Sequence, residues 1–100
     1  MCFVYILKSE KNNKYYIGFT TKSIEERLIE HNEGKFNNSF TLSNRPWSIF
    51  HFFPCENSEI AKKIERHIKK MKSRKYIENL KEYFEIQDKL LERFKTTTIL

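Results

Sequence analysis

Glu65 is out of keeping with its surroundings. Residues 61–75, AKKIERHIKKMKSRK, carry eight basic side chains and this one acid. Glu65 stands four residues after Ala61 and three before Ile68, in line with the apolar positions of a helix. A carboxylate there needs a partner, a ligand or a raised pKa. Lys69 or Arg66 could pair with it. So could magnesium, which often takes only one or two carboxylates and keeps several waters. Further candidates lie upstream. Arg27 follows Ile24 by three residues and His31 follows Arg27 by four, so both border the apolar stripe set by Ile24 and Leu28. Such a pair can meet an anion at a sheet surface, or simply edge and cap the helix. Tyr5 and Tyr16 fall in two stretches of strand-forming residues that a hairpin can bring together. Gly18 adds little packing there and often marks a bulge or a close backbone approach. Two tyrosines in a hairpin serve packing as readily as chemistry.

The charge pattern favours a polyanion. The net charge is +6, yet residues 1–60 balance seven basic against seven acidic side chains, and 76–100 carry four against five. The excess sits in 61–75, as expected of a segment facing nucleic-acid phosphates. A solvated lysine-rich helix face accounts for the charge equally well.

The elements that must position these residues follow from pattern. One hundred residues with 39% apolar and 15% aromatic content are expected to form one domain with one core. Cys2–Leu7 is a continuous apolar run, a strand covered on both faces. Residues 8–14 form a hairpin loop, and Tyr15–Phe19 is a second, antiparallel strand. Ser23 with Glu26 makes a capping-box pattern opening a helix to about Asn32, and Gly34 closes it. Residues 35–46 read as a polar loop ending at Arg45-Pro46. Trp47–Phe53 is a third strand, terminated by Pro54. Ser58 caps a second helix with Ala61, Ile64, Ile68 and Met71 on its apolar stripe. Ile77, Leu80, Phe84, Leu91 and Phe94 predict one further helix over about 76–94. The TTTIL tail has weak structural preference. The order β-β-α-β-α-α predicts an α+β fold, a three-stranded antiparallel sheet flanked by helices.

Ordered motifs now connect the separate candidates. Phe3-Val4-Tyr5 followed by Tyr16-Ile17-Gly18 resembles the paired motif of the GIY-YIG nuclease superfamily. Arg27-x3-His31, Arg45-Pro46-Trp47 and Ala61-x3-Glu65-x2-Ile68-Lys69 resemble its small standalone branch. The similarity covers about residues 2–80, with Phe3 where the family name has Gly. It implies a single-metal phosphodiesterase site using Mg2+ or Mn2+. By this resemblance Tyr16 is the general base for the attacking water and Tyr5 its partner beside the scissile phosphate. Arg27 stabilises the phosphate, His31 helps remove the proton from Tyr16, and Glu65 holds the metal. Lys69 is the basic residue expected to touch a phosphate, with Gly18, Arg45 and Asn79 as further substrate-side candidates. The chemistry is coherent. Cleavage builds charge on phosphoryl oxygens that Arg27 and a cation can stabilise. A tyrosine with an ordinary pKa near ~10 needs cationic surroundings or a proton acceptor to act as a base.

The implied activity is a metal-dependent DNA endonuclease of low intrinsic sequence specificity. The alternative is a non-catalytic nucleic-acid-binding or protein-interaction module on the same fold, and a homodimer or protein partner is compatible with either. Cys2 and Cys55 form no disulfide framework or zinc spacing, which fits free thiols in a reducing cytoplasm. No apolar run approaches the ~20 residues of a membrane span, and MCFVYILK reads as a strand rather than a signal peptide. His51 and His67 read as surface or packing residues.

Overall fold

The computed structural model describes residues 2–35 and 38–95. Residues 36–37 of the expected loop and the TTTIL tail lie outside them. The apolar run at the start of the chain forms β1 (Cys2–Ser9), the central strand of a three-stranded antiparallel sheet. β2 (Tyr15–Thr20) and β3 (Trp47–Cys55) flank it in the order β2-β1-β3. Burial on both faces explains why β1 shows no polar alternation. On one face Val4, Ile6, Ile17 and Phe53 meet a core from the later helices. On the other, Tyr5 and Leu7 pack with Ile24 and Trp47.

A register shift between Ile6 and Leu7 lets β3 serve both faces. Ile6 pairs with His51 and Leu7 with Ile49, so Phe50 is the extra residue of a bulge. Strict alternation would put Trp47 and Phe53 on one face. The bulge instead sends Trp47 and Ile49 to one core, and Phe53 to the other. β3 also continues through Pro54 rather than ending at it, because an edge strand can accept proline without losing a ladder bond.

The helix α1 (Ile24–Glu33) begins as its sequence dictates. Ser23 Oγ accepts the Glu26 N–H at 3.1 Å and lies 3.1 Å from Glu26 Oε1. Gly34, at φ 74°, closes it with N–H contacts to the Glu30 and His31 carbonyls. A short helix, α2 (Ser39–Ser43), occupies part of the stretch expected to be loop, with Asn38 accepting the Phe40 and Thr41 N–H groups. Asn32 ties α1 to β3. It accepts from Trp47 N–H at 2.6 Å and donates to the Trp47 carbonyl at 3.0 Å.

The opposite face carries α3 (Ser58–Met71), α4 (Arg74–Glu82) and α5 (Phe84–Arg93). Asn57, not Ser58, caps α3, accepting the Ile60 N–H at 2.9 Å. Ile60, Ala61, Ile64 and Ile68 are buried, whereas Met71 is exposed. The single helix expected over 76–94 is divided at Tyr83, whose backbone is extended (φ −119°, ψ 106°). A continuous helix would carry Leu90 about 15 Å beyond Leu80, away from the core. The break brings Leu90 back to that core and leaves Phe84 exposed. It also sets Gln87 Oε1 2.7 Å from His51 Nε2.

Candidate active site

Strand register brings the tyrosines together. Tyr5 pairs with Gly18 and Leu7 with Tyr16, so both phenols stand on one face, ring centroids 6.4 Å apart. Gly18 lies directly beneath the Tyr5 ring. A Cβ at Gly18 would come 2.6 Å from Tyr5 Cζ and Oη, so only glycine lets the ring lie there. On α1, spacing of one turn places Arg27 and His31 against this pair. His31 is buried, its Nε2 2.9 Å from Tyr5 Oη, and its ring meets Tyr16 edge to face at 4.9 Å.

Glu65 reaches the same place from the other face of the sheet. β2 is an outer strand, and α3 runs beside it, so the Glu65 carboxylate meets the tyrosines around the sheet edge. Tyr5, Tyr16, Gly18, Lys22, Arg27 and Glu65 line one cavity of about 290 Å³. Lys69 Nζ lies 3.7 Å from Glu65 Oε2 and 5.9 Å from the Tyr16 ring centre. Glu30 acts behind the wall. It holds Lys22 at 2.7 Å and Arg27 at 3.2 Å, joining two cations of the cavity through one carboxylate.

Burial controls the titration of the cluster. It pushes the Tyr5 hydroxyl well above its ordinary value, with the Tyr16 and Glu65 charges adding, while the charge and hydrogen bond of Arg27 oppose. Tyr16 is also raised, first by burial and then by the Glu65 charge, against Arg27. His31 falls to about 4, chiefly by burial and further by Arg27. At neutral pH the imidazole is therefore uncharged, and its Nε2 can accept a hydrogen bond from the Tyr5 hydroxyl. Tyr16 as it stands here holds its proton firmly.

The structure thus brings together Tyr5, Tyr16, Gly18, Arg27, His31 and Glu65, with Lys69 at the margin. His31 hydrogen-bonds Tyr5, whereas its meeting with Tyr16 is a ring contact. Arg45 is placed elsewhere. Its guanidinium donates to the Leu42 and Asn32 carbonyls, anchoring α2 to the end of α1. Asn79 lies on α4, where its carbonyl accepts from Tyr83 N–H at 2.8 Å, and does not line the cavity. Sequence reading missed Lys22 and Glu30. Glu30, one turn after Arg27, could have been found by spacing, while Lys22 had no sequence signal.

The donor set fits a hard cation that keeps most of its waters. One carboxylate faces the cavity beside phenol oxygens, and no cluster of three or more His, Cys, Asp or Glu able to hold a metal occurs among the described residues. Magnesium tolerates such sparse protein ligation when waters and substrate phosphates complete its shell.

The family model for the GIY-YIG catalytic domain matches residues 1–78. The chain belongs to the GIY-YIG family. This is a nuclease-type family acting on nucleic acid, and its nucleases generally use divalent metals. A UPF0213 protein from Syntrophus aciditrophicus (strain SB) is 35% identical over 80 residues, covering 80% of this chain and 90% of that protein. No solved structure matches significantly. The GIY-YIG match contains every residue of the cavity and ends one position before Asn79. Among the described residues, no helix is long and apolar enough to cross a membrane.

Proposed function

We propose that this chain is a metal-dependent endonuclease that hydrolyses phosphodiester bonds in DNA with little intrinsic sequence preference. The observation that carries this reading is the meeting of Tyr5, Tyr16, Arg27 and Glu65 on one cavity, from four elements and both faces of the sheet. Arg27, steadied by Glu30, binds the non-bridging phosphate oxygens and stabilises the charge that grows on them. Neutral His31 fixes the direction of the Tyr5 hydroxyl, which lines the phosphate from below. Gly18 leaves the space in which that hydroxyl sits. Tyr16 first gives up its own proton to solvent, and its phenolate then receives the proton of the attacking water. A divalent cation, Mg2+ or Mn2+, held by Glu65 would supply positive charge for the phosphoryl oxygens, activate bound water and cancel the carboxylate charge that adds to burial in keeping the proton on Tyr16. Lys69 takes a neighbouring phosphate, and the exposed lysines of α3 hold the backbone without reading bases.

The test is nicking of supercoiled plasmid with magnesium or manganese. The wild type should nick, while Glu65→Ala and Tyr16→Phe should lose at least about a hundredfold in rate, the scale of general-base and metal contributions. Undiminished nicking by Glu65→Ala would sink the assignment. Binding of DNA by the wild type without cleavage would replace it with a non-catalytic module.

A further inference from the structure

A second cavity of about 250 Å³ lies beside the first along the same outer strand. It shares no lining residue with the first. Tyr15 and Ile17, which line it, alternate along β2 with Tyr16 and Gly18, which line the other. Three residues of strand, about 10 Å, separate Tyr15 from Gly18. Between the cavities stand Lys69, 3.7 Å from Glu65, and Phe40, stacked on Tyr16 at 6.5 Å with 28° between the rings.

The chemistry of this cavity is uniform. Its floor is aliphatic, formed by Ile68 and Ile77, and Phe40 stands at its side with an exposed ring. Lys14, Lys69, Lys72 and Arg74 surround it, and among the described residues no acid lines it. Lys14 lies 6.0 Å from the Phe40 ring centre, and Arg74 lies 4.6 Å from that of Tyr15. An apolar floor with an aromatic side and a cationic rim matches a flat base with its phosphates. The volume falls below the roughly 300–1,000 Å³ of drug-sized pockets, which suits one base.

Lys72 adds an independent sign. It closes α3 in the left-handed region, φ 48° and ψ 42°, where glycine or asparagine sits at lower cost. A lysine there places a cation on the rim at the expense of local backbone comfort.

We propose that this cavity is a subsite for an unpaired nucleotide flanking the scissile phosphate, its base stacked on Phe40 and its phosphates held by Lys72 and Lys14. A base inside a duplex is stacked on its neighbours and cannot enter, so the substrate strand is single or frayed at this point. The proposal deepens the nuclease reading and rests on it for the direction of the strand past Glu65. The shared ligand chemistry is an unstacked base with flanking phosphates, which either DNA or RNA can supply.

Binding measured with the metal chelated tests the subsite separately from cleavage. Fluorescently labelled single-stranded DNA, single-stranded RNA of the same sequence and a blunt DNA duplex are titrated by anisotropy. Single strands should bind more tightly than the duplex, in DNA, RNA or both. Phe40→Ala should weaken single-strand binding about 5- to 100-fold, the range of one lost stacking contact, with little effect on the duplex. Lys72→Asn removes charge while keeping a residue at home in left-handed backbone, so it should weaken single-strand binding without lowering thermal stability. Lys62→Gln, the same loss of charge on an exposed part of α3 outside both cavities, should have a smaller effect. Equal affinity for strand and duplex, or equal losses from Lys62→Gln and Lys72→Asn, would overturn the subsite. Strand binding that responds to Phe40→Ala in a protein that never nicks would sink the nuclease reading and leave the subsite standing.

Discussion

Tyr5 is held from two sides, by Gly18 beneath its ring and His31 at its hydroxyl. Since Tyr5 is only 1% exposed, it cannot swing aside for a larger neighbour. Gly18→Ala should therefore displace the hydroxyl from His31, costing about 1–3 kcal/mol of stability as an overpacked site. Nicking should fall further than that loss explains; thermal unfolding beside a plasmid assay reads both. A stable, fully active Gly18→Ala protein would show that the close approach is not needed. His31 makes stability depend on pH. Its folded pKa of about 4 lies below the ordinary 6.5, so the unfolded chain binds the proton more readily between those values. Stability is full above 6.5 and is lost as pH falls towards 4, by on the order of 3 kcal/mol at the limit. Melting curves across that range should show the fall, and His31→Phe should flatten it. Tyr5, Tyr16, Arg27 and Glu65 were legible because ordered motifs carry them. The bond between His31 and Tyr5 was not, since it depends on where α1 docks across a face that carries both tyrosines.

Elements were legible where one local pattern governs them and obscure where two compete. Ser23, Glu26 and Gly34 marked both ends of α1 because cap chemistry is local. At α3 two adjacent residues have capping side chains, and the sequence reading placed the cap at Ser58, one residue too late. The structure chooses Asn57. Asn57→Ala should accordingly lower stability by about 1 kcal/mol, and Ser58→Ala by much less. Chemical denaturation of the two variants separates them, and a larger loss in Ser58→Ala would reverse the assignment of the cap. The bulge in β3 and the break at Tyr83 were hidden for another reason. Both answer to distant partners: β3 must serve two cores, and α5 must return Leu90 to the one that Leu80 occupies. Periodicity along the chain carries no record of such demands.

The whole molecule is two cores separated by one sheet, and the candidate site bridges them at the open edge. The tyrosines, Arg27 and His31 belong to the layer of α1, whereas Glu65 and Lys69 belong to that of α3. A phosphate and cation seated between them would touch both layers at once. The substrate is then also a clasp. Occupancy of the cavity must stabilise the docking of α3 on the sheet, because a ligand that binds only the assembled form favours it by mass action. Amide hydrogen exchange should show this directly: with magnesium and a non-cleavable oligonucleotide, the amides of α3 should slow more than those of α5, which has no residue in either cavity along β2. Slowing confined to α1 would mean that nucleic acid grips one layer alone. A helix rich in lysine, repelled by its own charge while unoccupied, would thus be fastened in place by the polyanion it serves to hold.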